Sequence, residues 1–553
     1  MWCKAPIRPA ISFSLTFSLT LSAAMLQAQQ TAADVPSITI RANTRLVVVD
    51  VVVTNKRGKP MAGLKPDDFT LEENGKKEKV AVFVPPGAAN KTGYTPPPPG
   101  VFSNHPENVS PAGIPTVLLL DANSPFKDQS YARSQMLKYV VEQTQSGPSI
   151  AVMTLTDRLH VLQTFTSDPQ VLIAAIKHLK PDQPVLAPST ARPLSGTAAG
   201  NSAAAAALAL AQHGIEDFSN LQVGYALERR TVITLEAMRS LSRMLAGLPG
   251  RKHVVWLTAD FPFDLRPEFR TVSDSELGSD LPRAQKTLGN TGDSPFTAQQ
   301  QRAHSREIRD VESQMASAGI AIYPVDIRGL MVTGTDLAST TTMEEIASET
   351  GGKAYTNQNE IKLGIALTAA DAQASYSLAY YPENKKWDGQ YRNIKVRLSK
   401  GDAQLRYRKG YFAIEPGPLK DHNYEQDVAA ALEVDAPATQ ISFQAEAKPA
   451  GEGKVKVIFL VDGHTLASEE SAGGRKMDVS LYASVYGPNG KMLGSRSARV
   501  NRTFDDVTYK QILDKGMLVP LDLEIPAGGQ ELRLAVLDNE TGYIGTVSGA
   551  LGQ

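Results

Sequence analysis

Cysteine is almost missing from this chain: 553 residues contain one, Cys3. Everything after it is therefore without disulfides, thiol chemistry and Cys-ligated zinc. Histidine is scarce and dispersed. The eight residues form no His-x-x-x-His or His-Glu-x-x-His pair, which argues against a zinc hydrolase. No Gly-x-Ser-x-Gly nucleophile elbow occurs. Gly351-Gly352 is followed by Lys353-Ala354, so it lacks the Lys-Ser/Thr of a phosphate loop and fits a helix stop. Excess charge is also lacking. Lys and Arg total 57 and Asp and Glu 58, so nothing steers the whole molecule toward nucleic acid or anionic lipid. Only the first apolar run is long, so no membrane span is expected beyond it.

What is present begins with that run. Lys4 and Arg8 precede the mostly apolar Ile11–Met25, and Leu26-Gln27-Ala28 offers a small-residue cleavage site. This reads as a signal peptide over 1–28, with an uncleaved anchor as the competing reading. Cys3 lies ahead of the apolar segment, where a lipoprotein cysteine would not be. The chain is expected to be exported: periplasmic, outer-surface or extracellular. An exported chain without disulfides must be held by large cores or bound ions. The length argues for two to four domains.

The pattern of elements divides the chain. Residues 36–86 read as a β domain, with the β-branched run Leu46–Val53 and the hairpin signal Asn74-Gly75. Residues 87–113, with Pro96–Pro99, read as a stiff linker. Over 114–370 apolar strands (Val117–Leu120, Ile150–Leu155, His253–Leu257, Ile320–Val325) alternate with helical segments. That alternation predicts an α/β, doubly wound, mostly parallel sheet with flanking all-β domains. Polar stretches at 181–220 and 264–300 read as insertions in it. Period-two patterning returns over 371–415, a candidate to complete the N-terminal β domain, because each block alone supplies few strands. Residues 436–553 read as a C-terminal β-sandwich.

Several blocks together resemble one family. They are Val51–Pro60 with Gly63–Phe69 and Glu72–Gly75, then Leu248–Leu257, Ile322–Leu330, Glu349–Tyr355 and Arg408–Phe412. In their order and spacing the chain is similar to the secreted proteins of Acidobacteria that carry a von Willebrand factor type A domain, over roughly Ile38 to Ala413. The resemblance implies a Rossmann-like domain that binds proteins. It often implies Mg²⁺ held by Asp-x-Ser-x-Ser after the first strand, a distant Thr, and an Asp after a later strand.

The candidate site follows the strand Val117–Leu120, whose end delivers Asp121 to the carboxyl edge of the sheet, where open α/β folds bind ligands. Asp121, Asn123 and Asp260 are the expected ligands if Mg²⁺ binds. Asn123 stands at the first Ser position, and Pro125 stands at the second and offers no side-chain oxygen. Asp260 comes one residue late for the pattern, and Thr231 and Thr234 both qualify as the distant Thr. The other reading has Asp121 capping a helix or bonding neighbouring loops. Ser124, Asp326 and Arg328 are expected at a binding rim, with an internal Asp326–Arg328 brace as the alternative. The function expected is a non-enzymatic adhesion or binding protein that meets a protein partner at this rim, metal-assisted or not. The alternative is a structural scaffold of a cell-envelope assembly with a degenerate, metal-free type A domain.

Overall fold

The computed structural model describes residues 46–86, 95–98, 100–109, 114–142, 149–181, 225–226, 228–262, 295–329, 337–357, 361–372, 374–399, 403–414, 423–434, 436–451 and 453–551. The expected signal peptide lies outside these residues, as does nearly all of the two expected insertions.

The chain opens with strands β1 (Val47–Asn55), β2 (Phe69–Glu73), β3 (Lys76–Glu78), β4 (Val80–Val84) and β5 (Val101–Ser103). An alternating region follows: β6 (Thr116–Asp121), helix α1 (Phe126–Glu142), β7 (Ile150–Leu155), β8 (Leu159–Thr166) and α2 (Pro169–His178). It continues with α3 (228–245), β9 (Lys252–Thr258), α4 (Pro295–Ser317), β10 (Ile320–Asp326), α5 (Leu337–Thr350) and α6 (Ile361–Ala372). Strands β11 (Ser375–Tyr380), β12 (Asp388–Leu398), β13 (Ala403–Arg406) and β14 (Gly410–Ile414) come next. The last region holds α7 (Tyr424–Glu433), β15 (Phe443–Pro449), β16 (Lys454–Val461), β17 (Glu469–Ser471), β18 (Gly474–Tyr486) and β19 (Met492–Phe504). Helix α8 (Asp506–Lys515), β20 (Met517–Glu524), β21 (Glu531–Asp538) and β22 (Ile544–Ala550) complete it.

The first and third regions share one sandwich. Its two four-stranded sheets run β13-β1-β11-β4 and β14-β12-β2-β3. Strand β1 pairs antiparallel with β11, Val49 opposite Leu378, and β2 pairs with β12, Leu71 opposite Val396. Val47, Val49, Val51 and Val53 fill its core with Tyr376, Leu378 and Ile394, which is why every second residue of β1 is apolar. Inside sits an ionic cluster. Glu73 accepts hydrogen bonds from Tyr380 (2.7 Å), Tyr411 (2.8 Å) and Arg392 (3.1 Å). Arg392 is 1% and Glu73 3% exposed. A buried charge is tolerated only when paired and bonded in this way.

The middle region forms a five-stranded sheet of order β10-β9-β6-β7-β8. Its neighbours are parallel except for β8, which runs antiparallel at one edge. The fold is thus mixed α/β, with a parallel-rich sheet between antiparallel ones. Val117 and Leu119 of β6 point to a core shared with residues of α3, α4 and α5. Leu118 and Leu120 point to a second core shared with α1, α2 and α6. Two buried faces explain the continuous apolar run of β6.

The last region is a second sandwich, with sheets β20-β16-β15-β5 and β17-β18-β21-β22, and β19 added to β18. The segment expected to be only a linker supplies an edge strand here: β5 pairs with β15, Phe102 opposite Ala445. Phe102 packs against the sandwich core, and that apolar contact fixes the stretch in the sheet.

The first sandwich meets the base of the α/β sheet through buried polar groups. Arg251 donates across the joint to the Asp50 carbonyl (3.3 Å) and within its own domain to Gly351 (2.6 Å), while Arg408 donates to Val48 (2.7 Å) inside the sandwich and Lys252 to Ala318 (2.7 Å) inside the α/β domain. Gly351 lies at φ +75°, and a Cβ there would press on the Arg408 nitrogen. Burial pushes the Lys252 ammonium down to about 8, partly opposed by Asp50.

Two outcomes are expected. Arg392→Met leaves a buried carboxylate without its cation and should lower stability by about 3–5 kcal/mol in urea denaturation. Lys252→Met should change the alkaline slope. The folded chain releases the Lys252 proton near pH 8 while the unfolded chain holds it to about 10.5. The unfolded state then binds more protons, so wild-type stability should rise across that window and the variant's should not.

Candidate functional site

Strand β6 ends at Asp121, and its neighbour β9 ends at Thr258. The chain leaves β6 toward β7 on one side and reaches β9 on the other, so the strand order reverses between β6 and β9. A parallel sheet opens its crevice at such a point. Here the crevice is bridged. Thr258 Oγ1 lies 2.9 Å from Asp121 Oδ2 and 2.8 Å from the Asp260 carbonyl. Asp121 Oδ1 accepts from the Asn123 amide N–H at 2.9 Å. Ser124 Oγ accepts from the Ala259 N–H at 3.0 Å, joining the two loops again.

The loop after β6 is fixed from below as well. Gln129 on α1, fully buried, donates to the carbonyls of Ala122 (2.8 Å) and Ser124 (2.7 Å). Asn123 turns its amide nitrogen to the Thr156 carbonyl at 3.1 Å. Asp121 is 4% exposed. Burial raises its pKa above the ordinary carboxylate value, opposed by the nearby Arg230 guanidinium and by the bonds from Asn123 and Thr258. Arg230, on α3, also donates to the Asp260 carbonyl at 3.3 Å.

These residues do not fit a Mg²⁺ shell. A hard divalent ion takes about six oxygens in an octahedron. Both oxygens of Asp121 and the Ser124 hydroxyl already accept bonds from the protein, and Pro125 contributes none. Asn123 Oδ1 is the one buried acceptor here without a protein partner. Among the described residues no group of three or more His, Cys, Asp or Glu is placed to hold a metal. In this structure the expected set Asp121, Asn123 and Asp260 stands in a hydrogen-bonded lock. In it Asp260 takes part through its main chain, its carbonyl accepting from Thr258 and Arg230.

The other expected residues divide similarly. Ser124 is buried and bonded across the crevice, not displayed. Asp326, at the end of β10, is 1% exposed and takes two bonds from the Arg328 guanidinium, 2.9 and 2.7 Å, and a third from its amide. That is the internal brace. Thr231 and Thr234 are buried on α3, while the threonine that meets Asp121 is Thr258. Sequence reading passed over Thr258, Gln129 and Arg230. Thr258 had a signal, since it stands at a strand end beside Asp260. Gln129 and Arg230 had none, being single polar residues on helices.

The raised pKa of Asp121 has a definite sign. The folded chain keeps this proton at pH values where the unfolded chain, near 3.8, has lost it. The stability it contributes is complete below that value and is lost as pH rises through the folded pKa. Asp121→Asn stays neutral throughout. The variant is expected to be no more stable than wild type in acid and more stable near neutrality, by denaturant titration at both pH values. Lower stability near neutrality would show that the charged carboxylate is needed.

No protein-family model and no curated protein matches the chain. Solved structures similar to it include von Willebrand factor type A domain proteins. BatB from Bacteroides thetaiotaomicron is 12% identical, spans 47% of this chain and 98% of its own, and has a TM-score of 0.24. The von Willebrand domain of the type V pili tip protein Mfa5 from Porphyromonas gingivalis is 9% identical over 46% of this chain and 94% of its own, at a TM-score of 0.26. A von Willebrand factor type A protein from Catenulispora acidiphila is 9% identical over 93% of this chain and 75% of its own, at 0.23. At these scores the likeness carries no argument about the site, whose description rests on the residues of this chain.

Proposed function

We propose that this chain is an exported, non-enzymatic interaction protein whose α/β domain meets a protein partner at its strand-end rim without a divalent ion. One observation carries the reading. At the point where an open sheet offers its ligand site, the carboxylate is bound inward by Thr258 and Asn123. Beside it Phe126, on the first turn of α1, is 49% exposed. A half-exposed aromatic ring beside rigid loops suits an interface anchor. It does not suit a pocket that transforms a substrate. Export rests on the sequence of residues 1–28. Among the described residues no helix is long and apolar enough to cross a membrane.

A scaffold role is the second reading, favoured by the buried Arg251, whose bond to the Asp50 carbonyl ties the α/β domain to the first sandwich. The two readings separate at the rim. Full-length chain is immobilised and exposed to surface proteins of the producing cells, with and without EDTA. Capture should be unchanged by the chelator and fall about tenfold or more in Phe126→Glu, with an unchanged melting temperature. Capture lost in EDTA and restored by Mg²⁺ would overturn metal independence. Capture indifferent to Phe126→Glu would move the contact away from the rim and leave the scaffold.

A further inference from the structure

At the base of the α/β domain, opposite Asp121, lies a cleft of about 440 Å³. Four parts of the chain line it: the segment before the α/β domain (His105), the turn after α3 (Gly247), the end of α4 (Gln314) and the C-terminal sandwich (Gln440, Ser442, Asp462 and Tyr543). Its size is that of a small-molecule site, and such sites favour domain interfaces.

The polar groups are half used, and which half is open defines the chemistry. His105 Nδ1 lies 3.0 Å from Ser442 Oγ, leaving Nε2 without a protein partner. Gln440 Oε1 accepts from the Ile544 N–H at 3.2 Å, leaving its amide nitrogen to donate. Gln314 donates to Asp310 at 2.9 Å, leaving its amide oxygen to accept. Asp462 Oδ1 accepts from the His464 N–H at 2.9 Å and faces His464 Nδ1 at 3.1 Å, leaving Oδ2 to accept. Open donors and open acceptors therefore stand together on the wall of one cleft. No Lys or Arg lines it, which disfavours phosphate or carboxylate ligands. Neutral hydroxyls both donate and accept, and they match an amide nitrogen, an amide oxygen and a carboxylate oxygen side by side. Tyr543 adds an aromatic wall, which suits the apolar face of a sugar ring.

We propose that this basal cleft binds a neutral saccharide, with Asp462, Gln440, Gln314 and His105 as its hydrogen-bonding residues. The site is separate from the rim and does not depend on the function proposed there.

The test applies labelled full-length chain to a microarray of neutral glycans and titrates the strongest-bound glycan calorimetrically. Wild type should bind. Asp462→Asn keeps the oxygen that accepts from His464 and turns the open acceptor into a donor, so affinity should fall about tenfold or more. Gln314→Leu, on a different element, should weaken binding likewise. Phe126→Glu should leave it unchanged. The proposal is overturned if no neutral glycan binds. It is also overturned if binding survives both Asp462→Asn and Gln314→Leu, or if Phe126→Glu removes it.

Discussion

The structure depends on a chain that leaves a β-sandwich and returns to it. Strand β1 needs β11 and β13 for its hydrogen bonds, and β2 needs β12. The α/β domain lies between these partners in sequence, so its own termini must come close together at the base of its sheet. That closure forces polar backbone from two domains into contact, and buried backbone groups must be bonded. Arg251 and Arg408 do this by donating to carbonyls of Gly351, Asp50 and Val48. An arginine suits the task because its rigid fork reaches several carbonyls while staying charged.

The joint also accounts for sequence blocks that suggest chemistry at first reading. Arg251-Lys252-His253, Gly351-Gly352 and Arg408-Lys409-Gly410 are rich in groups that active sites use. They lie instead where one domain presses on another. Gly351 stands where a Cβ would strike the backbone of Tyr407 and Arg408 across the joint, and Gly352 and Gly410 where one would strike Ile322 and Arg392 within their own domains. His253 is wholly buried, with its pKa well below the ordinary value through burial, so the ring is neutral and acts as a packing group beside Tyr323. The burial of these residues, all but the exposed Lys409, makes them structural more than their identity does.

Much of this architecture was legible because periodicity reports burial. Ile150–Leu155 was read to the residue, being a strand packed on both faces. Elements with weak patterns escaped. Strand β19 carries Arg496, Arg499 and Arg502 on largely exposed positions and is held by pairing along β18. Helix α6 spreads apolar residues around its circumference, so no stripe marks it. The site was half legible. The strand end named Asp121, but its meaning lay in Thr258, 137 residues away, and no local spacing encodes a crossing hydrogen bond.

The departures at the rim support one another. Thr258 has a single hydroxyl proton and two acceptors in reach, Asp121 Oδ2 and the Asp260 carbonyl. When Asp121 is ionised, the hydroxyl serves the carboxylate, and Arg230 still donates to the carbonyl. When Asp121 is protonated, its own proton can go to Thr258, and the hydroxyl turns to Asp260. Each protonation state has a satisfied arrangement, so the raised pKa of Asp121 entails no broken bond. Asp121, Thr258, Asn123 and Arg230 thus hold the two loops together through hydrogen bonds alone. Phe126, at the start of α1 beside these bonded loops, stands half-exposed to solvent.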